Sequence, residues 1–431
     1  MSNFQISLMV VFGAFAVIAV LIFAGVLPGL NSAENSFAGE IVVWGTIPES
    51  KMNKPLDDFN QENEKLFRII YEEKNSQSFN RELVNALASG KGPDIFIMAS
   101  DNVISEGDKT VPISYKTLPE RNFKNQFIEA GEIYLTREGI LALPFVVDPL
   151  VMYWNRDIFS AAGVSAEPKF WDEFLTTAPS MTLLDKASNI KRSTIAFGEV
   201  RNVTHAKDIV SMLILQTGND IIERTDEGME SVINRAVDIT GSPAESAVRF
   251  FMEFSNPSKR TYSWNRGMPE SKDTFSTGDL AVYFGLASEL SDISLKNPHL
   301  NFDVAVVPQI RDSKLNLTSA RVYGLSIAKN STKADAAFRA AYLLVSAPFS
   351  GKLAEELGLP SPRRDLLSGK PDSPKGEVFQ RSAIIGKTWL DPDPEETYNI
   401  FKDMVEGISS GKLTPSDALS RGNEELDNLV K

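Results

Sequence analysis

Residues 141–155 read LALPFVVDPLVMYWN, an almost unbroken apolar run whose one carboxylate, Asp148, is followed at once by Pro149 at its centre. No other stretch limits the fold of this chain so tightly. A run this rich in Val, Leu, Phe and Met fits a strand buried on both faces, and such strands belong to sheets covered on both sides. An unpaired carboxylate there is costly, so either Asp148 is partnered or the run leaves the core at that point. Pro149 cannot donate to a sheet ladder and biases Asp148 towards an extended conformation, which favours an exit. Asp148 therefore marks a crossing point.

The flanking sequence alternates strand and helix. EIVVW (40–44) is a β-branched run, Leu56 and Phe59 give the next stretch a helical face, and LFRIIYEE (66–73) reads as a second strand. Phe79, Leu83, Ala86 and Leu87 fall at helical spacing before GKGPDIFIM turns into a third strand. A βαβαβ opening of this kind implies a parallel sheet. Further on, Ser242 and Pro243 read as N-cap and first residue of a helix with Ala247, Phe250, Phe251 and Phe254 on one face. FDVAVVP (302–308) and YGLSIAK (323–329) are strands, Phe401, Met404, Val405 and Ile408 form a helical face, and Thr414-Pro415 opens a last helix. The chain is α/β throughout, and its 431 residues suffice for two or three domains.

A net charge of −13 argues against a nucleic-acid backbone or an anionic membrane surface as the main partner. The absence of cysteine excludes disulfides, thiolate nucleophiles and a lipid-modified cysteine. Residues 6–27, ISLMVVFGAFAVIAVLIFAGVL, carry no charge and as a helix would be about 33 Å long, enough to span a bilayer. No basic residue precedes this segment, and the small-residue site Ser36-Phe37-Ala38 lies far beyond it, so an uncleaved anchor is favoured over a cleaved signal. Charge does not fix its orientation, since the first basic residues beyond it are Lys51 and Lys54. The chain then divides into a tail (1–5), a transmembrane anchor (6–27), a tether (28–39) and the α/β body.

Reaction-centre motifs fail one by one. GISSG (407–411) follows a helix where a nucleophile elbow needs a strand, and GKT (386–388) has Arg381 where a phosphate loop needs glycine. His205 and His299 are the only histidines and neither stands in a zinc-binding spacing. No metal and no cofactor is expected. What remains are aromatic and polar residues at strand ends, where ligands of open α/β sheets bind: Trp44 and Thr46 after the first strand, Ser100 and Asp101 after the third, Tyr283 with Phe284, Arg321 and Tyr323, and Trp389. Any one of these aromatics is more often core packing than a ligand contact, and only their repeated placement at strand ends makes the set a candidate site.

ALPFVVDPLVMYWNRDIFSAAGVSAEPKFWDEFL (142–175) resembles the entry into the second lobe of the family 1 extracellular solute-binding proteins of ABC importers, the maltodextrin-binding type. GEIVVWG, ALASGKGPDIFIMASD, FSTGDLAVYFG, GLSIAKNSTKADAAFRAAYLLVS and SSGKLTPSDAL extend the similarity over nearly everything from Glu40 onward. The resemblance implies a two-lobed periplasmic-binding-protein-like fold of type II, here preceded by one transmembrane helix. Lobe 1 would comprise 40–147 plus 308–350 and lobe 2 would comprise 148–302 plus 355–431, with crossings at 146–148 and 302–308. It also implies that Asp148 and Asp101 match acids that bind sugar. The pattern departs from maltodextrin binders at Met98, where they carry an aromatic platform, at Asn102, where they carry a basic residue, and at Pro48-Glu49, where they carry an acid-lysine pair.

The implied protein is not an enzyme. It would be a membrane-anchored, extracytoplasmic binder that presents a small polar solute, a sugar or oligosaccharide, to ABC permease subunits. Its site would comprise Trp44, Thr46, Ser100, Asp101, Asp148, Tyr283, Arg321, Tyr323 and Trp389. A polyamine binder would use the same aromatic and acidic parts. A surface glycan hydrolase would need two carboxylates flanking one bond. A sensor of the same fold is a further alternative.

Overall fold

The computed structural model of the protein describes residues 37–226, 228–235, 242–371 and 373–431. The expected anchor at 6–27 lies outside these residues, and among the described residues no helix is long and apolar enough to cross a membrane.

The opening is the expected βαβαβ unit. Strand β1 (Glu40–Gly45) pairs in parallel with β2 (Arg68–Glu73) and with β3 (Ile95–Ala99). The intervening helices Glu49–Glu62 and Phe79–Ala88 bury the apolar faces read from the sequence, Leu56 with Phe59 and Phe79 with Leu83 and Leu87.

The long apolar run becomes β4 (Leu143–Asn155), and all thirteen of its residues are buried. It serves two neighbourhoods in turn. Leu143 to Pro149 pair antiparallel with β11 (Thr318–Ile327), whereas Leu150 to Trp154 pair with β9 (Leu280–Leu286) and Met152 to Asn155 with β10 (Phe302–Ala305). The change of partner falls immediately after the Asp148-Pro149 step. The strand order β2-β1-β3-β11-β4-β9-β6-β5 makes one continuous path, with β5 (Leu183–Leu184) and β6 (Ile190–Ile195) at its far end. A separate hairpin joins β7 (Ile222–Arg224) and β8 (Met229–Ser231), and β12 (Gly386–Lys387) pairs in parallel with β11.

Three clusters of buried side chains make up the core, and the two largest lie on either side of the change of partner. One gathers Ile41, Ile69, Ile95, Phe145, Leu325 and Phe349; the other gathers Leu150, Trp171, Ile214, Phe251, Phe284 and Phe401. They form a two-lobed α/β body.

Three expectations change. The run does not leave the core at Asp148, because Ala320 and Arg321 of β11 continue the ladder alongside Pro149 and Asp148. The return between lobes is not at 302–308, since β10 pairs only with the second-lobe half of β4. Gln216 then holds Pro308 and Leu317 through its amide, donating to both carbonyls, so the chain returns at the start of β11, where the Thr318 hydroxyl donates to the Leu150 carbonyl. Finally, the first lobe extends past 350. Phe349 and Leu353 of the helix Ala347–Leu357 sit in its core, and the Arg364 guanidinium donates to the carbonyl oxygens of Lys124 and Phe127. Passage to the second lobe occurs along the helix Pro374–Ile384, whose Ala383 packs with Leu367 on the first-lobe side and whose Phe379 packs in the second core.

Candidate functional site

The floor between the lobes is built where β4, β11 and the end of β3 come together. Asp148 and Arg321 are register partners across β4 and β11, and Tyr323 lies two residues further along β11, opposite Val146 and Ala99. Asp148 is only 4% exposed, and its Oδ1 accepts the Ser288 backbone N–H at 3.0 Å. Burial raises its pKa above the usual carboxylate range, against the Ser288 hydrogen bonds and the charges of Arg321 and His205. Asp148 is therefore a buried acid that pins the turn Ala287–Glu289 after β9, and not a partly solvated one.

From the second lobe, the helix Ala206–Gln216 aims its N-terminus at this floor. Nearly every residue of that helix is buried, because its apolar side chains run through the second core, so its polar first turn is left at the margin. Arg321 Nη2 donates to Asp208 Oδ2 at 3.0 Å. Asp208 also lies 3.2 Å from His205 Nδ1, and His205 Nε2 lies 3.3 Å from Glu289 Oε2. Glu289 also accepts from Lys272 Nζ at 2.8 Å, the Tyr283 hydroxyl at 2.8 Å and the Leu286 N–H at 3.1 Å. Burial works against the charge of both acids, yet their partners win. Arg321 and His205 hold Asp208 well below the usual range, and His205, Lys272 and Tyr283 bring Glu289 down to about 2.

Beside this chain of charges, Lys207 Nζ donates to Asp391 Oδ2 at 2.6 Å and to the Thr397 hydroxyl at 3.1 Å. The same ammonium stands 5.9 Å from the centroid of the Trp389 ring, which is half-buried and packs on Phe401. Trp389 also borders a cavity of about 320 Å³ lined by Glu129 and Glu132 from the first lobe and by Asp220 and Arg224 from the second. Asp101, half-exposed in the turn Ser100–Asn102, completes the group from the first lobe; its charge acts on Tyr323, Arg321 and Asp391.

The chain matches the family model of the bacterial extracellular solute-binding proteins over residues 44–348. It belongs to that family. Among curated proteins it is similar to the diacetylchitobiose binding protein DasA of Streptomyces coelicolor, at 22% identity over 93% of this chain and 92% of DasA. Among solved structures it superposes on a cyclo/maltodextrin-binding protein complexed with maltotetraose, with a TM-score of 0.73 and 17% identity over 92% of this chain and 98% of that one. It also superposes on the cyclic alpha-maltosyl-1,6-maltose binding protein of Arthrobacter globiformis, with a TM-score of 0.75 and 15% identity over 90% and 98% of the two chains.

In this solute-binding protein the nine candidate residues do not form one cluster. Asp101, Asp148, Arg321 and Tyr323 come together, and Trp389 adjoins them through Lys207. Tyr283 is 1% exposed and stacked on Tyr153 at 5.9 Å, so it supports the floor from behind through Glu289 and presents no face to a ligand. Phe284 is buried in the second core as well. The Ser100 hydroxyl accepts the Val322 N–H at 3.1 Å and ties the end of β3 to β11. Trp44 has Lys74 Nζ 3.9 Å above its ring, and among the described residues no hydrogen bond or ion pair links Trp44 or Thr46 to the Arg321 group. Sequence reasoning missed His205, Lys207, Asp208, Lys272, Glu289 and Asp391. Asp208 three residues after His205, at the start of an apolar helix, was the one local signal; the partners of both residues lie too far away in sequence to be read.

Proposed function

We propose that this solute-binding protein captures an uncharged carbohydrate at the floor between its lobes and delivers it to the permease of an ABC importer. The observation that carries the carbohydrate reading is the state of the acids. Asp208, Glu289 and Asp391 already have cationic partners from the protein itself, and Asp148 is buried against a backbone N–H. Asp148 and Asp101 have no ion pair among the described residues, and of the two only Asp101 is open to solvent. A polyamine needs several free carboxylates, whereas a sugar needs donors and acceptors held in fixed directions, which the Arg321 and Lys207 pairs provide. The names of the relatives, a diacetylchitobiose binder and maltodextrin binders, point the same way.

In this reading Asp101, Arg321, Tyr323 and Trp389 contact the solute, while Asp148, Ser100 and Tyr283 shape the floor. The lobes comprise 40–149 with 318–367 and 150–317 with 379–431. The protein acts on the extracytoplasmic side without turning its solute over, and the segment 6–27 anchors it to the membrane. Calorimetric titration of the detergent-solubilised full chain with diacetylchitobiose, maltotetraose and spermidine tests the reading. Binding of a saccharide, weakened at least tenfold by Asp101→Asn, is the expected result. Tight binding of spermidine with no saccharide response would overturn it.

A further inference from the structure

Among the described residues, one group near the floor is built with unusual economy. His205 is 11% exposed at its side chain and precedes the helix Ala206–Gln216 with φ 62° and ψ 23°, in the left-handed region that few side chains adopt. Something must hold it there, and the ring contacts show what does. Both ring nitrogens face carboxylates, Asp208 at 3.2 Å and Glu289 at 3.3 Å, and each of those acids is also paired with a cation, Asp208 with Arg321 and Glu289 with Lys272. A neutral imidazole has one N–H and would turn a bare lone pair towards one of them; only the doubly protonated ring donates to both.

We propose that His205, as an imidazolium clamped between Asp208 and Glu289, is a positioning residue for the solute site: it fixes the carboxylate on which the Arg321 guanidinium is docked. The part of this that concerns solute rests on the carbohydrate reading above. The clamp joins three elements, since Asp208 is on the helix, Glu289 on the turn after β9 and Arg321 on β11. That same turn donates to Asp148 through Ser288. Without the imidazolium, Asp208 and Glu289 face one another across the ring with no cation between them, and Arg321 loses the fixed edge of its partner.

The charged surroundings of His205 set its titration. Asp208 lies on its own helix, with Lys207 beside it. Glu289 lies on the turn, backed by Lys272 of the helix Ser271–Thr277 and by Tyr283 of β9, while Asp148 of β4 and Arg321 of β11 act from the floor. Burial favours the neutral ring, but the two carboxylates outweigh it and hold the imidazole at about 9, above its ordinary 6.5. Because the folded value is the raised one, the stability the imidazolium contributes is fully present below about pH 6.5 and is lost as pH rises through about 9, where the folded clamp itself loosens.

The test uses the full chain in detergent and the His205→Asn variant, since asparagine tolerates the left-handed backbone while removing the imidazolium. The chain has two histidines, so nitrogen-15 side-chain spectra, with His299→Gln for assignment, report each ring directly. In the ligand-free protein His205 is expected to remain doubly protonated at pH 8, and the Arg321 guanidinium, assigned with Arg321→Lys, to give slowly exchanging resonances that collapse in His205→Asn. Maltotetraose and diacetylchitobiose are the solute probes. Whichever binds is expected to lose at least fivefold in affinity between pH 7.5 and 10 with the wild-type protein, and to bind His205→Asn at least fivefold more weakly with a flat profile over that range. A neutral His205 at pH 8, or Arg321 resonances unchanged by the variant, overturns the proposal whether or not either sugar binds. Binding of neither sugar by the wild-type protein, with the spectra as expected, counts against the carbohydrate reading and leaves the clamp standing.

Discussion

Two buried acids make opposite demands on the protein. Asp148 accepts the Ser288 N–H, and Asp148→Asn keeps an oxygen to accept it while removing a charge that burial disfavours. That variant is expected to unfold within about 1 kcal/mol of the parent in urea, whereas Asp148→Ala strands the N–H and costs roughly 1–3 kcal/mol. Glu106 is 2% exposed and neither carboxylate oxygen has a hydrogen-bond partner among the described residues. Burial, opposed by Lys109 and reinforced by Asp101, pushes its pKa from 4.5 up to about 8. The folded state therefore binds the extra proton between those values, and stability falls as pH rises through that window. Glu106→Gln should be indistinguishable from the parent near pH 4.5 and more stable by roughly 1–3 kcal/mol at pH 8.5, read from urea midpoints at the two pH values. Neither behaviour could be seen in the sequence. Glu106 reads as an ordinary acid, and Asp148 announces only that it is out of place, because the groups that decide each case come from other segments.

At the scale of elements, the same two letters at a helix start have different outcomes. Thr414-Pro415 and Ser242-Pro243 both read as cap and first residue. The Thr414 hydroxyl accepts the Asp417 N–H at 3.1 Å and Asp417 reciprocates, closing a capping box on the helix Pro415–Val430. Ser242 makes no such bond to the helix Pro243–Glu253, and its hydroxyl turns towards the Ile233 carbonyl. Thr414→Ala should lower stability by about 1 kcal/mol, and Ser242→Ala by clearly less in parallel thermal melts. Helix starts and strand runs were legible because their signals are local: apolar spacing at 79–87, a β-branched run at 40–44, an unbroken apolar stretch at 141–155. The clamp was not. Its bonds span 84 residues from His205 to Glu289 and 113 from Asp208 to Arg321, and no local pattern records such pairings.

For the whole molecule, the two lobes share β4 and meet again through Arg137 with Asp226 and through Arg224, which donates to the Leu135 carbonyl at 2.6 Å. Arg137 and Asp226 are largely exposed, so their ion pair adds little to stability. If the lobes close over a solute, the radius of gyration from small-angle scattering should fall at saturating saccharide; a particle of constant size would count against closure. The two-lobed plan was legible through the resemblance carried by residues 142–175, but the place of return was not, since 302–308 reads as well for a strand that stays as for one that crosses. Strand β11 is what actually completes the first lobe, lying between β3 and the first half of β4. Synthesis from the N-terminus therefore delivers the neighbours long before the strand that joins them. Until Thr318–Ile327 has been made, β3 and β4 each carry an open edge able to pair with the wrong chain. Nascent chains halted before residue 318 should thus have a protease-sensitive first lobe and a tendency to aggregate, and chains released beyond Leu367 should not.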